Sequence, residues 1–142
     1  MAPGYPFFLA AVFKIFGENL FAVKLIQAVL GAITAVLVYF LALRMSRPAI
    51  AFLAASLMAV HPELLGITGF IYTEVLFIFL LVATLLLLAH AVQWAKPVYF
   101  LQAGVLFGLT TLCRGTTIYF PLMLLGLILF SSQRRLWLRR WA

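Results

Sequence analysis

The stretch from Asn19 to Leu43, NLFAVKLIQAVLGAITAVLVYFLAL, is an apolar run that ends at Arg44. A helix rises 1.5 Å per residue, so about 25 residues cover roughly 37 Å and exceed the roughly 30 Å hydrocarbon core of a bilayer. The stretch therefore predicts a transmembrane helix. Asn19 is a good N-cap residue for that helix. Small residues give the helix a face for close packing against a neighbour: Ala28, Gly31, Ala32 and Ala35.

The composition agrees with a membrane protein. Hydrophobic residues make up 67% of the 142 residues and charged residues only 9%, against about 45–50% and about 25% in soluble domains. A water-soluble chain of this length could not bury so much apolar surface. The net charge of +7 comes from basic residues between apolar runs, which is typical of membrane flanks rather than of a nucleic-acid surface. We therefore expect membrane lipids, and no nucleic acid, as partners.

Five further segments complete the predicted bundle. The aromatic stretch from Tyr5 to Phe16 covers only about 18 Å as a helix, which favours an interfacial helix that Gly17 ends. The run from Pro48 to Val60 is also short, and it either ends before HisProGlu at 61–63 or continues, kinked, through 64–71. Apolar runs follow at Thr73–Val92, Pro97–Cys113 and Thr117–Phe130. The predicted fold class is all-α: a polytopic transmembrane helix bundle of about five spans plus an N-terminal interfacial helix, in one membrane domain over residues 1–142.

Basic residues set the predicted topology. If the 44–47 loop is cytoplasmic, seven basic residues lie inside and three outside: Arg44, Arg47, Lys96, Arg134, Arg135, Arg139 and Arg140 against Lys14, Lys24 and Arg114. This distribution follows the positive-inside rule. The acids Glu18, Glu63 and Glu74 then fall on the outer side, and the short helices near them predict a polar cavity that opens outward. Five crossings that end inside begin outside, so we also expect an upstream helix and loop before Met1.

Glu74 is the most informative ionisable residue in the sequence. Ionisable groups at the edge of a span usually face the bundle interior or a cavity, although a carboxylate is also favoured at a helix N-terminus wetted by the interface. Arg114 could bind a lipid-linked phosphate, because a guanidinium matches phosphate geometry. Lys24 could pair with Glu74 or with a donor phosphate. For both basic residues, snorkelling to the headgroups is the alternative.

His61 and Glu63 raise the question of a metal site. A HisProGlu triplet could supply ligands to a divalent metal ion, but no further ligands accompany it, and an interfacial turn is the favoured interpretation. The sequence contains no glycine-rich phosphate loop, no nucleophile elbow and no metal-ligand series. No cofactor is therefore indicated by motif, and a divalent metal ion stays open.

Short motifs follow one another in a distinctive order: ProGlyTyrPro at 3–6, PheGlyGluAsn at 16–19, AlaValLysLeuIleGln at 22–27, HisPro at 61–62, TyrThrGlu at 72–74, GlyLeuThrThrLeuCysArgGlyThr at 108–116, and Pro121. Together they resemble the membrane-embedded GT-C glycosyltransferases. The resemblance is to the branch of dolichyl-phosphate-mannose protein mannosyltransferases and bacterial lipid A aminoarabinose transferases, and it covers nearly the whole chain.

This resemblance implies a transferase that passes a sugar from a polyprenyl-phosphate donor to a protein, lipid or glycan acceptor. The reaction is expected at the outer face of a bacterial or archaeal plasma membrane. Glu74 matches the acid that opens the span after the second outer loop, which helps to build the active site and could bind a metal. Lys24 and Arg114 match basic positions suited to the carrier phosphate. Tyr5 and His61 are further substrate-binding candidates within matched motifs.

One feature of the family is absent from the sequence. The family's catalytic acid lies in the first outer loop, just upstream of ProGlyTyrPro, where this sequence starts. A carboxylate base is needed to activate the acceptor hydroxyl. Glu74 is the catalytic candidate within the chain but is not expected to suffice alone, so we expect the chain to be part of a larger GT-C module and inactive alone.

Two other functions stay open at this point. A transporter or flippase fragment would account for the polar outward cavity and for the weak repeat between residues 25–28 and 100–103. A structural subunit would tolerate neutral replacements of Glu74 and Arg114.

Overall fold

The computed structural model describes residues 3–61, 73–94 and 97–121. Most of them are helical, and this described part contains no strand. The helices are α1 (Gly4–Phe16), α2 (Leu20–Leu43), α3 (Pro48–Val60), α4 (Glu74–Trp94) and α5 (Pro97–Cys113), and a 3₁₀ turn follows at Gly115–Ile118. By length and composition α2 and α4 can each cross a membrane, whereas the other three are shorter apolar helices. The fold is the predicted all-α membrane bundle.

The helix boundaries follow local chemistry. Gly17 ends α1 with a φ of +68°, in the left-handed region that favours glycine. The Asn19 side chain then accepts hydrogen bonds from the backbone N–H groups of Phe21 and Ala22, at 3.0 and 3.3 Å, which confirms it as the cap of α2. The bounds of α3 agree with the prediction. The predicted kink at 64–71 and the run beyond Pro121 lie outside the described residues.

The helices pack in the order α3, α2, α4, α5, with α1 against parts of α2 and α5. The C-terminal ends of α2 and α4 meet, because Arg44 contacts His90 and Gln93. The start of α4 meets the end of α5, because Glu74 pairs with Arg114. Helices α2 and α4 therefore run in the same direction, and α5 runs opposite to them. This arrangement gives the described bundle two polar ends.

The outer surface of the bundle suits lipid. Large apolar side chains such as Phe21, Phe52 and Leu101 are about 70% exposed, as expected where hydrocarbon rather than water surrounds the helices. The buried threonine hydroxyls inside the bundle are satisfied within their own helices. The Thr34, Thr84 and Thr110 hydroxyls each donate to the carbonyl oxygen four residues earlier, at 2.7–2.8 Å. The chain is an integral membrane protein.

Candidate functional site

The candidate site lies where α4 begins and α5 ends. An Arg114 guanidinium nitrogen lies 4.0 Å from a Glu74 carboxylate oxygen, and the two side chains are 53% and 34% exposed. Both charges therefore stay accessible from outside the bundle. Glu74 also accepts a hydrogen bond from the Thr73 hydroxyl at 3.3 Å. An accessible ion pair at the limit of contact distance is weak, so a competing anion could take Glu74's place beside Arg114.

Phe77 holds Arg114 from a second side. The guanidinium carbon lies 5.7 Å from the centre of the Phe77 ring, within the range of a cation–π contact. Phe77 comes three residues after Glu74, so both side chains lie on the same face of α4. The first turn of α4 thus supplies both an anion and an aromatic ring to one arginine.

A buried polar pair lies behind this ion pair. The Gln27 amide nitrogen donates a hydrogen bond to the Tyr5 hydroxyl at 3.1 Å, and the two residues are 0% and 6% exposed. Burial raises the pKa of the Tyr5 phenol, the hydrogen bond from Gln27 lowers it, and the negative charge of Glu74 raises it again. Tyr5 is therefore held protonated, within the electrostatic influence of Glu74.

The predicted site residues separate into two groups. Tyr5, Glu74 and Arg114 come together at this end of the bundle. Lys24 is exposed, and among the described residues Glu74 pairs with Arg114 rather than with Lys24. His61 is an exposed residue at the C-terminal end of α3, and within the described part of the chain no contact joins it to this group.

A family comparison decides the class of protein. The model of the dolichyl-phosphate-mannose-protein mannosyltransferase family matches residues 1–142. The chain belongs to this family. A search of curated proteins and a search of solved structures each gave no match. Membership identifies the chain with membrane glycosyltransferases of the GT-C type, as the order of its motifs indicated.

The described residues of this mannosyltransferase-family chain do not fit a metal site. No group of three His, Cys, Asp or Glu side chains that could hold an ion occurs among them. The Glu74 carboxylate already faces the cationic Arg114, which is a poor environment for a second cation. Glu63, the other predicted ligand, lies outside the described residues. We therefore derive no step through a metal ion.

The opposite end of the bundle carries a second polar cluster that sequence reasoning missed. Arg44 donates hydrogen bonds to the side-chain amide oxygen of Gln93 and to His90 Nε2, and the centre of the His90 ring lies 6.0 Å from that of the Tyr99 ring. The sequence feature that could have predicted this cluster is the three-residue spacing of His90 and Gln93, which puts both side chains on one face of α4. The structure places that face beside the end of α2.

Proposed function

We propose that this chain is a GT-C glycosyltransferase that transfers a sugar from a polyprenyl-phosphate carrier. The reaction takes place at the outer face of a bacterial or archaeal plasma membrane, and the acceptor is a protein, lipid or glycan. Family membership supports the class of reaction. The observation that carries the site assignment is the accessible Glu74–Arg114 pair at one end of the bundle.

Arg114 binds the phosphate of the carrier. Its guanidinium offers several N–H donors in a planar fork that suits phosphate oxygens, and it lies at the end of α5, where the headgroup region is expected. The ring of Phe77 orients the guanidinium without consuming its donors. During transfer, the bond between the sugar's anomeric carbon and the phosphate oxygen breaks. The electron pair stays on the phosphate, where Arg114 stabilises the charge.

Glu74 acts on the acceptor once the donor is bound. The donor phosphate replaces the Glu74 carboxylate beside Arg114. Glu74 is then free to take the proton of the acceptor hydroxyl while the oxygen of that hydroxyl bonds to the anomeric carbon of the sugar. The weak, accessible pair supports this exchange, because a short and buried pair would resist it. Lys24 and His61 belong to the proposal only as peripheral contacts to the donor, since neither lies in the described cluster.

Donor binding tests this assignment directly. The 142-residue chain is reconstituted in lipid nanodiscs, and its affinity for dolichyl-phosphate mannose is measured for the wild type and for R114Q, E74Q and K14Q. R114Q is expected to weaken binding by about tenfold or more, because it removes charged hydrogen bonds to phosphate. E74Q is expected to keep or strengthen binding, because it removes the anion that competes for Arg114. K14Q is the matched control, since it removes an exposed charge from α1.

Two results would contradict the proposal. Equal donor affinity in R114Q and K14Q would remove Arg114 from the donor site. Equal losses of affinity and of stability in E74Q and R114Q would make the pair a structural contact only. A transporter is tested separately with the same nanodisc lipids formed into vesicles, where movement of the intact donor between leaflets would favour the transporter.

A further inference from the structure

The end of the bundle far from Glu74 contains a groove that the proposed reaction does not use. It lies between the C-terminal ends of α2 and α4 and has a volume of about 960 Å³, near the upper end of the range for small-ligand sites. Its walls are mostly apolar, with Leu41, Leu85, Leu88 and Val92 among them, and Arg44 and Gln93 are its polar members. Roughly 30 Å of helix separates Gln93 from Glu74 along α4.

Arg44 is held in one orientation at this groove. The His90 Nδ1 atom lies 2.8 Å from the carbonyl oxygen of Leu86, and a carbonyl can only accept, so Nδ1 carries the ring proton. In that neutral tautomer Nε2 is an acceptor, and it takes a hydrogen bond from one Arg44 nitrogen while Gln93 takes another from the second. The remaining guanidinium N–H groups have no partner within the described part of the chain.

The charge of Arg44 and its position at the bilayer surface identify the class of ligand. A guanidinium with free donors matches a phosphate, whereas the apolar walls would repel a water-soluble anion and suit an acyl chain. Arg44 directly follows a 24-residue apolar helix, which is long enough to bring it to the bilayer surface, where phospholipid phosphates lie. Arg47 adds a second exposed cation in the same loop.

We propose that this groove binds an anionic phospholipid, with its phosphate on Arg44 and an acyl chain between α2 and α4. The lipid belongs to the leaflet opposite the Glu74–Arg114 pair, so this site is separate from the proposed donor site. Basic side chains near an anionic leaflet each contribute attraction. The apolar groove adds selectivity for a lipid over a headgroup alone.

Lipid retention tests the proposal. The chain is extracted from nanodiscs made of an equal mixture of phosphatidylglycerol and phosphatidylcholine, and the bound lipids are counted by native mass spectrometry. R44Q is expected to lower the retained ratio of phosphatidylglycerol to phosphatidylcholine roughly fivefold. R47Q is the matched control, because it removes the same charge from the same loop without touching the groove, and it is expected to have a smaller effect.

A second variant separates the lipid from other occupants. A89W keeps Arg44 but fills the groove with an indole ring. It is expected to retain less phosphatidylglycerol than the wild type. Its helix content, measured by circular dichroism, is expected to equal that of the wild type. Equal retention in R44Q and R47Q would overturn the proposal. So would displacement of the lipid by soluble glycerol phosphate, or a dimer whose interface covers the groove in place of lipid.

Discussion

The backbone of Gly4 lies directly against the backbone of Leu112. A methyl group at the Cβ position of Gly4 would come within 2.8 Å of the carbonyl carbon and oxygen of Leu112, and within 2.9 Å of the nitrogen of Cys113. The start of α1 is therefore fixed against the end of α5. This contact brings Tyr5 to the site where Arg114 leaves α5.

The G4A substitution is expected to loosen α1. Because the added methyl group meets backbone, the helices must separate, at a cost of about 1–3 kcal/mol. Amide hydrogen exchange along α1 would measure this as a loss of protection. G31A is the control, since no described atom lies within 4 Å of a Cβ at Gly31. Unchanged protection in G4A would contradict the close approach.

The hydrogen bond between Tyr5 and Gln27 is expected to contribute to stability. Y5F removes the hydroxyl that accepts from the Gln27 amide, and a buried hydrogen bond of this kind contributes about 0.5–1.5 kcal/mol. The free energy of unfolding in mixed detergent micelles would measure the loss. Y39F removes a phenol hydroxyl near the C-terminal end of α2 and is expected to change stability less. Equal effects of the two substitutions would contradict the proposed role.

The stability of the chain is expected to fall at alkaline pH through Tyr5. Its pKa is raised from 10.0 in the folded chain, so above about pH 10 the unfolded chain releases the phenol proton more readily than the folded one. The free energy of unfolding then decreases with rising pH until the pH passes the folded pKa. Y5F lacks this proton, so its free energy of unfolding should fall less steeply with rising pH. Y39F retains Tyr5, so its free energy of unfolding should fall as steeply as that of the wild type. Parallel profiles for Y5F and the wild type would refute this.

Much of the bundle follows from local signals in the sequence. The Asn19 cap, the Gly17 stop and the Pro48 start each depend on one residue and its neighbours, so the bounds of α1, α2 and α3 could be predicted closely. Positive-inside counting also predicted that Arg44 and Glu74 lie at opposite ends. That grouping is confirmed by the contacts of Arg44 with His90 and of Glu74 with Arg114.

Tertiary pairing could not be predicted in the same way. The sequence suggested Lys24 as a partner for Glu74 and did not suggest Arg114, because sequence distance does not reveal which helix packs against the start of α4. The structure places the end of α5 there, so Arg114 pairs with Glu74 and Lys24 is exposed. The Arg44–His90 contact likewise joins residues 46 positions apart, and it depends on α2 and α4 running in the same direction.

The contact between Arg114 and Phe77 is expected to affect donor binding. F77L removes the ring but keeps an apolar side chain, and an exposed cation–π contact of this type corresponds to roughly a two- to fivefold change in affinity. Dolichyl-phosphate mannose binding in nanodiscs would measure it. F79L is the matched control, because residues two positions apart point to different faces of a helix. An equal change in both variants would exclude a specific role for the Phe77 ring.

The orientation of the bundle is tested most directly by cysteine accessibility in intact cells. In a C113A background, G115C places one thiol beside Arg114, and M45C places one in the loop after Arg44, where Met45 is 87% exposed. A membrane-impermeant maleimide added outside is expected to label G115C at once and M45C only after the membrane is permeabilised. Labelling of M45C but not G115C in intact cells would put the Glu74–Arg114 pair on the cytoplasmic side and contradict the account.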